Sequence, residues 1–122
     1  MIGNYLLLSI IFVLVDSVYL TLTSGYFNNQ IKNIQGSNLN LKVSSTILCY
    51  LALTLGIYYF SILKKISLLE TFFLGIFVYG VFEFTNHAIF KNWKWSTVLM
   101  DTLWGGILFS SVVFLYRKID KN

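Results

Sequence analysis

Apolar residues in this chain come in four long runs rather than in the one-sided stripes of soluble helices. The first extends from Asn4 to Ser24, with Asp16 as its only charge. The second, Ser44 to Leu63, is uncharged and lies between Lys42 and Lys64. The third, Leu68 to Phe90, carries Glu70 and Glu83, and the fourth, Ser96 to Tyr116, carries Asp101. Each is close to the ~20 residues that a helix needs to cross ~30 Å of hydrocarbon. Barrel strands are about half that long and alternate, which these runs do not. The pattern predicts an all-α integral membrane bundle. Its transmembrane helices cover about 4–24, 44–63, 68–90 and 96–116, up and down, in a single domain over 1–122.

The connections differ in length. Gly25 to Val43 is long and polar, and within it Tyr26, Phe27, Ile31 and Ile34 are spaced to form a short apolar face lying along the interface. Ile66 and Ser67 follow the Lys64-Lys65 pair in a tight turn. Lys91 to Trp95 (KNWKW) forms another, with Trp93 and Trp95 at headgroup level, where an indole sits half wet. Short turns join antiparallel neighbours, so the second, third and fourth helices are expected as a meander. Proline is absent, which leaves any kink to Gly, Ser or Thr.

Composition agrees with a membrane location. The chain is 57% hydrophobic and 11% charged, against about 25% charged in soluble domains. The net charge of +4 does not point to nucleic acid, because every basic residue lies outside the apolar runs and no basic stripe interleaves with exposed aromatics. Lys64, Lys65, Arg117, Lys118 and Lys121 fall on the side of the termini, and Lys32, Lys42, Lys91 and Lys94 on the far side. The positive-inside rule then places both termini in the cytoplasm of a multi-pass protein. The first run has no Lys or Arg and an Asp inside it, so a retained helix is expected rather than a signal peptide. Cys49 is the only cysteine, which excludes an internal disulfide and predicts a small buried hydrophobe.

The acids carry the chemistry. Glu70 opens the third helix, where it favours the positive end of the helix dipole. Asp16, Glu83 and Asp101 lie inside the membrane with no Lys or Arg to pair with them. Counted at 1.5 Å per residue from the far-side helix ends, they sit about 12, 10 and 9 Å deep. All three therefore share one leaflet although their helices run in opposite directions. The faces agree with the depths: Ser9, Asp16, Tyr19 and Thr23 share one side of the first helix. Tyr79, Gly80, Glu83, Asn86 and His87 share one side of the third, and Thr97, Asp101, Trp104, Gly105, Leu108 and Ser111 one side of the fourth. Gly80, Gly105 and Gly106 are small enough to let backbones approach. Turning these stripes inward makes one acidic pocket near the far side. Neighbouring carboxylates in a low dielectric either share protons or take up a cation.

Intramembrane ionisable groups are by default functional, and the leading expectation is binding or passage of a proton, cation or small cationic solute. Asp16, Glu83 and Asp101 act as ligands or carriers, Asn86 and Trp104 orient the occupant, and Tyr19 and His87 complete the candidate set. A lipid-modifying enzyme with Glu83 or Asp101 as general acid or base and His87 as its partner is the alternative. A third reading makes the acids protonated hydrogen-bonding glue between helices, with His87 facing headgroups and Trp104 and Tyr19 packing in the bundle. No metal site or cofactor is expected: Glu83 and His87 are four apart, not three, and H-E-x-x-H is absent. The bilayer is the partner, and a homodimer is among the expected assemblies.

The segments VDSVYL (15–20), FEFTNHAIFKNW (82–93) and DTLWG (101–105) resemble the signature of an uncharacterised four-helix membrane family of bacteria and some large viruses, domain of unknown function 2177. Its pattern has L-D-x-x-W-L early, Y-D-L-T-N in the third helix and D-x-x-W-G in the fourth. Asp16 matches the first motif, with Tyr19 in place of Trp. Glu83, Thr85 and Asn86 match the second, with Glu in place of Asp, and Asp101, Trp104 and Gly105 match the third. The resemblance implies four spans and the same acid set, and it implies no established activity. VLVDSVYL and VLMDTLWG also look alike within the chain. Because both Asp residues fall in one leaflet, the likeness reads as similar local chemistry rather than as an inverted repeat.

Overall fold

The computed structural model describes residues 2–120, and Lys121, counted above among the basic residues beside the termini, lies outside them. The described residues form α1 (Ile2–Gln35), α2 (Val43–Ile57, continued by a π-helical turn Tyr58–Leu63), α3 (Leu68–Ile89) and α4 (Trp95–Ile119). All four are long and apolar enough to cross a membrane, so the fold is an all-α membrane bundle. α4 is the central helix, with 44% of its apolar window buried against 17% for the span containing α2.

α1 does not end near Ser24. Its 34 residues measure about 51 Å at 1.5 Å per residue, well beyond a ~30 Å hydrocarbon core. The expected interfacial piece continues the inward stripe of α1 instead, because α4 gives that stripe polar partners. The Tyr26 hydroxyl lies 2.7 Å from the hydroxyls of both Ser96 and Thr97. Gln30 is buried, and its Oε1 accepts the Lys94 backbone N–H at 3.0 Å and the Thr97 hydroxyl at 2.8 Å. The helix stops at Gly36, whose left-handed φ of 78° and N–H bond to the Lys32 carbonyl form a glycine C-cap.

The expected meander forms only in its second half. α3 and α4 lie against each other along their length, whereas α2 packs on α1 and meets α3 at the turn between them. α2 touches α1 through Tyr5 on Thr54 (2.6 Å) and edge-to-face pairs of Tyr5 with Tyr58 and Phe12 with Tyr50. Its one glycine, Gly56, meets no neighbour, so nothing draws the α2 backbone close to α3. Cys49 corrects a second expectation, since it lies on the exposed outer face of α2 rather than in the core. The sparse packing of α2 leaves that face to lipid.

The α3–α4 contact is made by glycines. A Cβ on Gly75 would collide with the Gly105 carbonyl, and one on Gly105 would come within 2.5 Å of Tyr79 Cβ. Gly106 is as tight, 2.7 Å from Phe72 Cε2. Gly80 is not: its added Cβ would sit 3.5 Å from Thr102 Cγ2, an ordinary contact. Gly75, not Gly80, is therefore the α3 partner of the Gly105-Gly106 pair.

At the terminal side, Ser67 and Glu70 form a reciprocal capping box at the start of α3, with both bonds at 3.1 Å. The Arg117 guanidinium donates to the Ser61 and Ile66 carbonyls at 2.9 and 2.7 Å, tying α4 to the α2–α3 turn. Arg117→Ala is expected to lower stability by about 1.5–3 kcal/mol, the range for bonds involving a charged group. A detergent melt checks it, and a wild-type midpoint would show that the clasp does not hold the turn. The apolar core, built around Leu8, Phe12, Ile57, Leu108, Phe109 and Val112, fills the terminal half of the bundle. The far half holds the polar layer.

Candidate functional site

Antiparallel packing of α1 against α4 gives each aspartate a donor from the other helix. Tyr19, three residues after Asp16, donates its hydroxyl to Asp101 Oδ1 at 3.0 Å. Trp104, three residues after Asp101, donates its indole N–H to Asp16 Oδ1 at 3.1 Å. The two rings stack face to face, with centroids 4.4 Å apart and planes within 4°. The likeness of VLVDSVYL to VLMDTLWG is thus realised as a local two-fold arrangement: each D-x-x-aromatic unit supplies one acceptor and one donor. Tyr50 of α2 completes the shell of Asp16, donating to Oδ2 at 2.7 Å.

Glu83 has a different environment. It is fully buried, and Trp93 from the α3–α4 turn donates its indole N–H to Oε1 at 2.9 Å. The other oxygen, Oε2, is buried without a donor. Asp101 is the neighbouring acid across the α3–α4 interface, and when ionised both carboxylates can only accept. An unsatisfied buried acceptor costs about 1–3 kcal/mol, more when charged. Thr102, beside Asp101 in sequence, also has a buried hydroxyl without a partner.

Of the residues expected in the site, Asp16, Tyr19, Glu83, Asp101 and Trp104 come together in this layer. Asn86 is buried three residues beyond Glu83. His87 is turned elsewhere: its ring packs on Trp95, with centroids 3.9 Å apart. The acids form two adjacent stations rather than one three-carboxylate pocket, and no three His, Cys, Asp or Glu side chains among the described residues are grouped to hold a metal ion. Two surface hollows lie outside the layer, one against Trp93 at the α3–α4 turn and one between α3 and α4 near Phe114.

Two contributors to the layer were not in the expected set. Tyr50 had a signal, since Tyr50, Thr54, Ile57 and Ser61 keep one side of α2 at steps of four, three and four. Trp93 had none. In KNWKW the two tryptophans look equivalent, but the turn sends Trp93 inward and leaves Trp95 exposed.

No curated protein and no solved structure matches the chain. The family model described as "Predicted membrane protein (DUF2177)" matches residues 1–116. The chain, with its four apolar helices and its D-x-x-aromatic pairs, belongs to that family of membrane proteins.

Proposed function

We propose that the protein binds a proton, or a small cation in its place, between Glu83 and Asp101, and that holding or passing this charge is its function. One observation carries the reading: a fully buried Glu83 carboxyl whose Oε2 lacks a donor, with Asp101 as the neighbouring acid. A shared proton turns two competing acceptors into a hydrogen-bonded pair, and a cation neutralises them without one. The donors nearby fix where the charge goes. Trp93 holds Oε1 and Tyr19 holds Asp101 Oδ1, which leaves one oxygen of each acid for the occupant. His87, its ring tilted against Trp95, is not placed to exchange protons with Glu83, so acid–base chemistry on lipid has less support. In the same reading both termini are cytoplasmic, and the layer lies nearer the opposite face.

The test is thermal stability in detergent across pH and a cation panel, for wild type and Glu83→Gln. A ligand at a hundred times its dissociation constant stabilises by about 2.7 kcal/mol. The wild type is expected to gain on that scale from acid or from one cation. Glutamine keeps an acceptor for Trp93 and offers its own NH₂ to Asp101, mimicking the occupied state. The variant should therefore lose that gain from acid and from the cation. A wild type equally indifferent to protons and to every ion would refute the reading and leave the acids as helix glue.

A further inference from the structure

We propose that Trp93 is the plug between Glu83 and the far-side water, so that the charge reaches the acid pair from that side through the hollow above the α3–α4 turn. The inference rests on the proton reading of Glu83 and adds its route.

Trp93 belongs to two environments at once. One edge donates to Glu83 Oε1 at 2.9 Å, while the residue also lines an open hollow of about 430 Å³ with Asn33, Asn92 and Lys94. It is only 8% exposed, so its ring stands between the hollow it lines and the acid it binds. Asn92 holds a left-handed φ of 68°, a conformation that Asn tolerates better than most residues, and this turn aims the indole inward. The projecting end of α1 supplies Asn33, so the extended helix builds the opposite wall. Gln30 fastens that wall to the turn through the Lys94 N–H.

The lining is polar but not acidic. Lys94 would repel a cationic solute, with its Nζ drawn over the Tyr26 ring, whereas the amides of Asn33 and Asn92 can hold water. Water-borne protons suit this entry better than an organic cation. The ionisable groups facing Glu83 are Asp101 from α4 and Tyr19 from α1, with Asp16 behind them in contact with Tyr50 of α2. His87, on Glu83's own helix, faces Trp95.

Full-length protein in vesicles, oriented by a tag on its C-terminus, would be treated on the side away from the termini with a membrane-impermeant carbodiimide, which modifies protonated carboxyls. Modification of Glu83 is read by mass spectrometry against pH. Trp93→Ala is expected to speed it about tenfold from that side, equivalent to ~1.4 kcal/mol of opening cost, with no gain from the other. Trp93→Phe keeps the bulk and loses the donor, so its rate at the optimal pH should stay within about twofold while its pH profile moves. Trp95→Ala, an exposed neighbour, should match wild type. A wild-type rate independent of pH would overturn the proton reading itself. A pH-dependent wild type with Trp93→Ala no faster, or faster from the terminal side, would overturn the plug alone. Should Trp93→Ala fail to fold, a Trp93→Phe profile identical to wild type would show that the indole does not hold Glu83, and would overturn the plug by removing the contact that seats it.

Discussion

Gly105→Ala is expected to unseat α3 from α4 and, with Gly75→Ala across the same interface, to be among the most destabilising single methyls in the protein. The new Cβ would come within 2.5 Å of Tyr79 Cβ and Cγ and 2.6 Å of the Gly75 carbonyl oxygen. Real Cβ atoms do not approach backbone so closely, and here backbone stands on one side and the root of the half-buried Tyr79 ring on the other. Overpacking costs about 1–3 kcal/mol where side chains can give way. Neither neighbour can, so the loss should reach about 3 kcal/mol, at the top of that range. Gly80→Ala is the control on the same interface. Its Cβ meets the Thr102 methyl at 3.5 Å and Phe84 Cε2 at 3.8 Å, both ordinary contacts, and alanine is favoured over glycine within a helix by about 1 kcal/mol. A denaturant titration in mixed micelles should therefore show Gly105→Ala far below wild type and Gly80→Ala at or above it. Equal effects would mean that α3 and α4 do not meet through Gly75 and Gly105.

That contrast bears on what the chain makes legible. Four spans and one layer of acids can be read directly, because length, hydropathy and the depth of a charge depend on local sequence alone. Reading which glycine is indispensable fails, because Gly75 and Gly80 differ only in what faces them across the interface. The end of α1 fails for a related reason. Residues 25–35 are polar enough to look like a loop, and only the hydroxyls of Ser96 and Thr97 and the Lys94 N–H, far away in sequence, make a helix there worth forming. Trp93 and Trp95 are separated by a backbone turn rather than by any chemical difference. The D-x-x-aromatic likeness was visible, but its meaning was not: antiparallel packing crosses the two units, so each aromatic serves the other helix's acid.

Asp16 should be the residue whose loss frees α2. It accepts from Tyr50 of α2 and Trp104 of α4 together, and α2 has few other holds on the bundle. Asp16→Ala removes two bonds and leaves an indole N–H and a phenol without acceptors. Interhelical bonds of this kind are worth about 0.6 kcal/mol on average and up to ~2 in membranes, and each orphaned buried donor adds about 1–3 kcal/mol. A total near 2–4 kcal/mol follows once relaxation of the exposed edge of α2 is allowed for. Removing an Asp also favours insertion by roughly 2.5–3.5 kcal/mol, a gain of the same size as the loss. It does not cancel that loss, because the unfolded reference in a micelle or bilayer is already inserted and gains equally. Asp16→Asn keeps one acceptor oxygen for one of the two donors, so it should lose about half as much. Amide hydrogen exchange separates the cause from general weakening. In Asp16→Ala, α2 should exchange first while α3 and α4, held by their glycines, stay protected; uniform exchange across all four helices would count against Asp16 as the tether of α2.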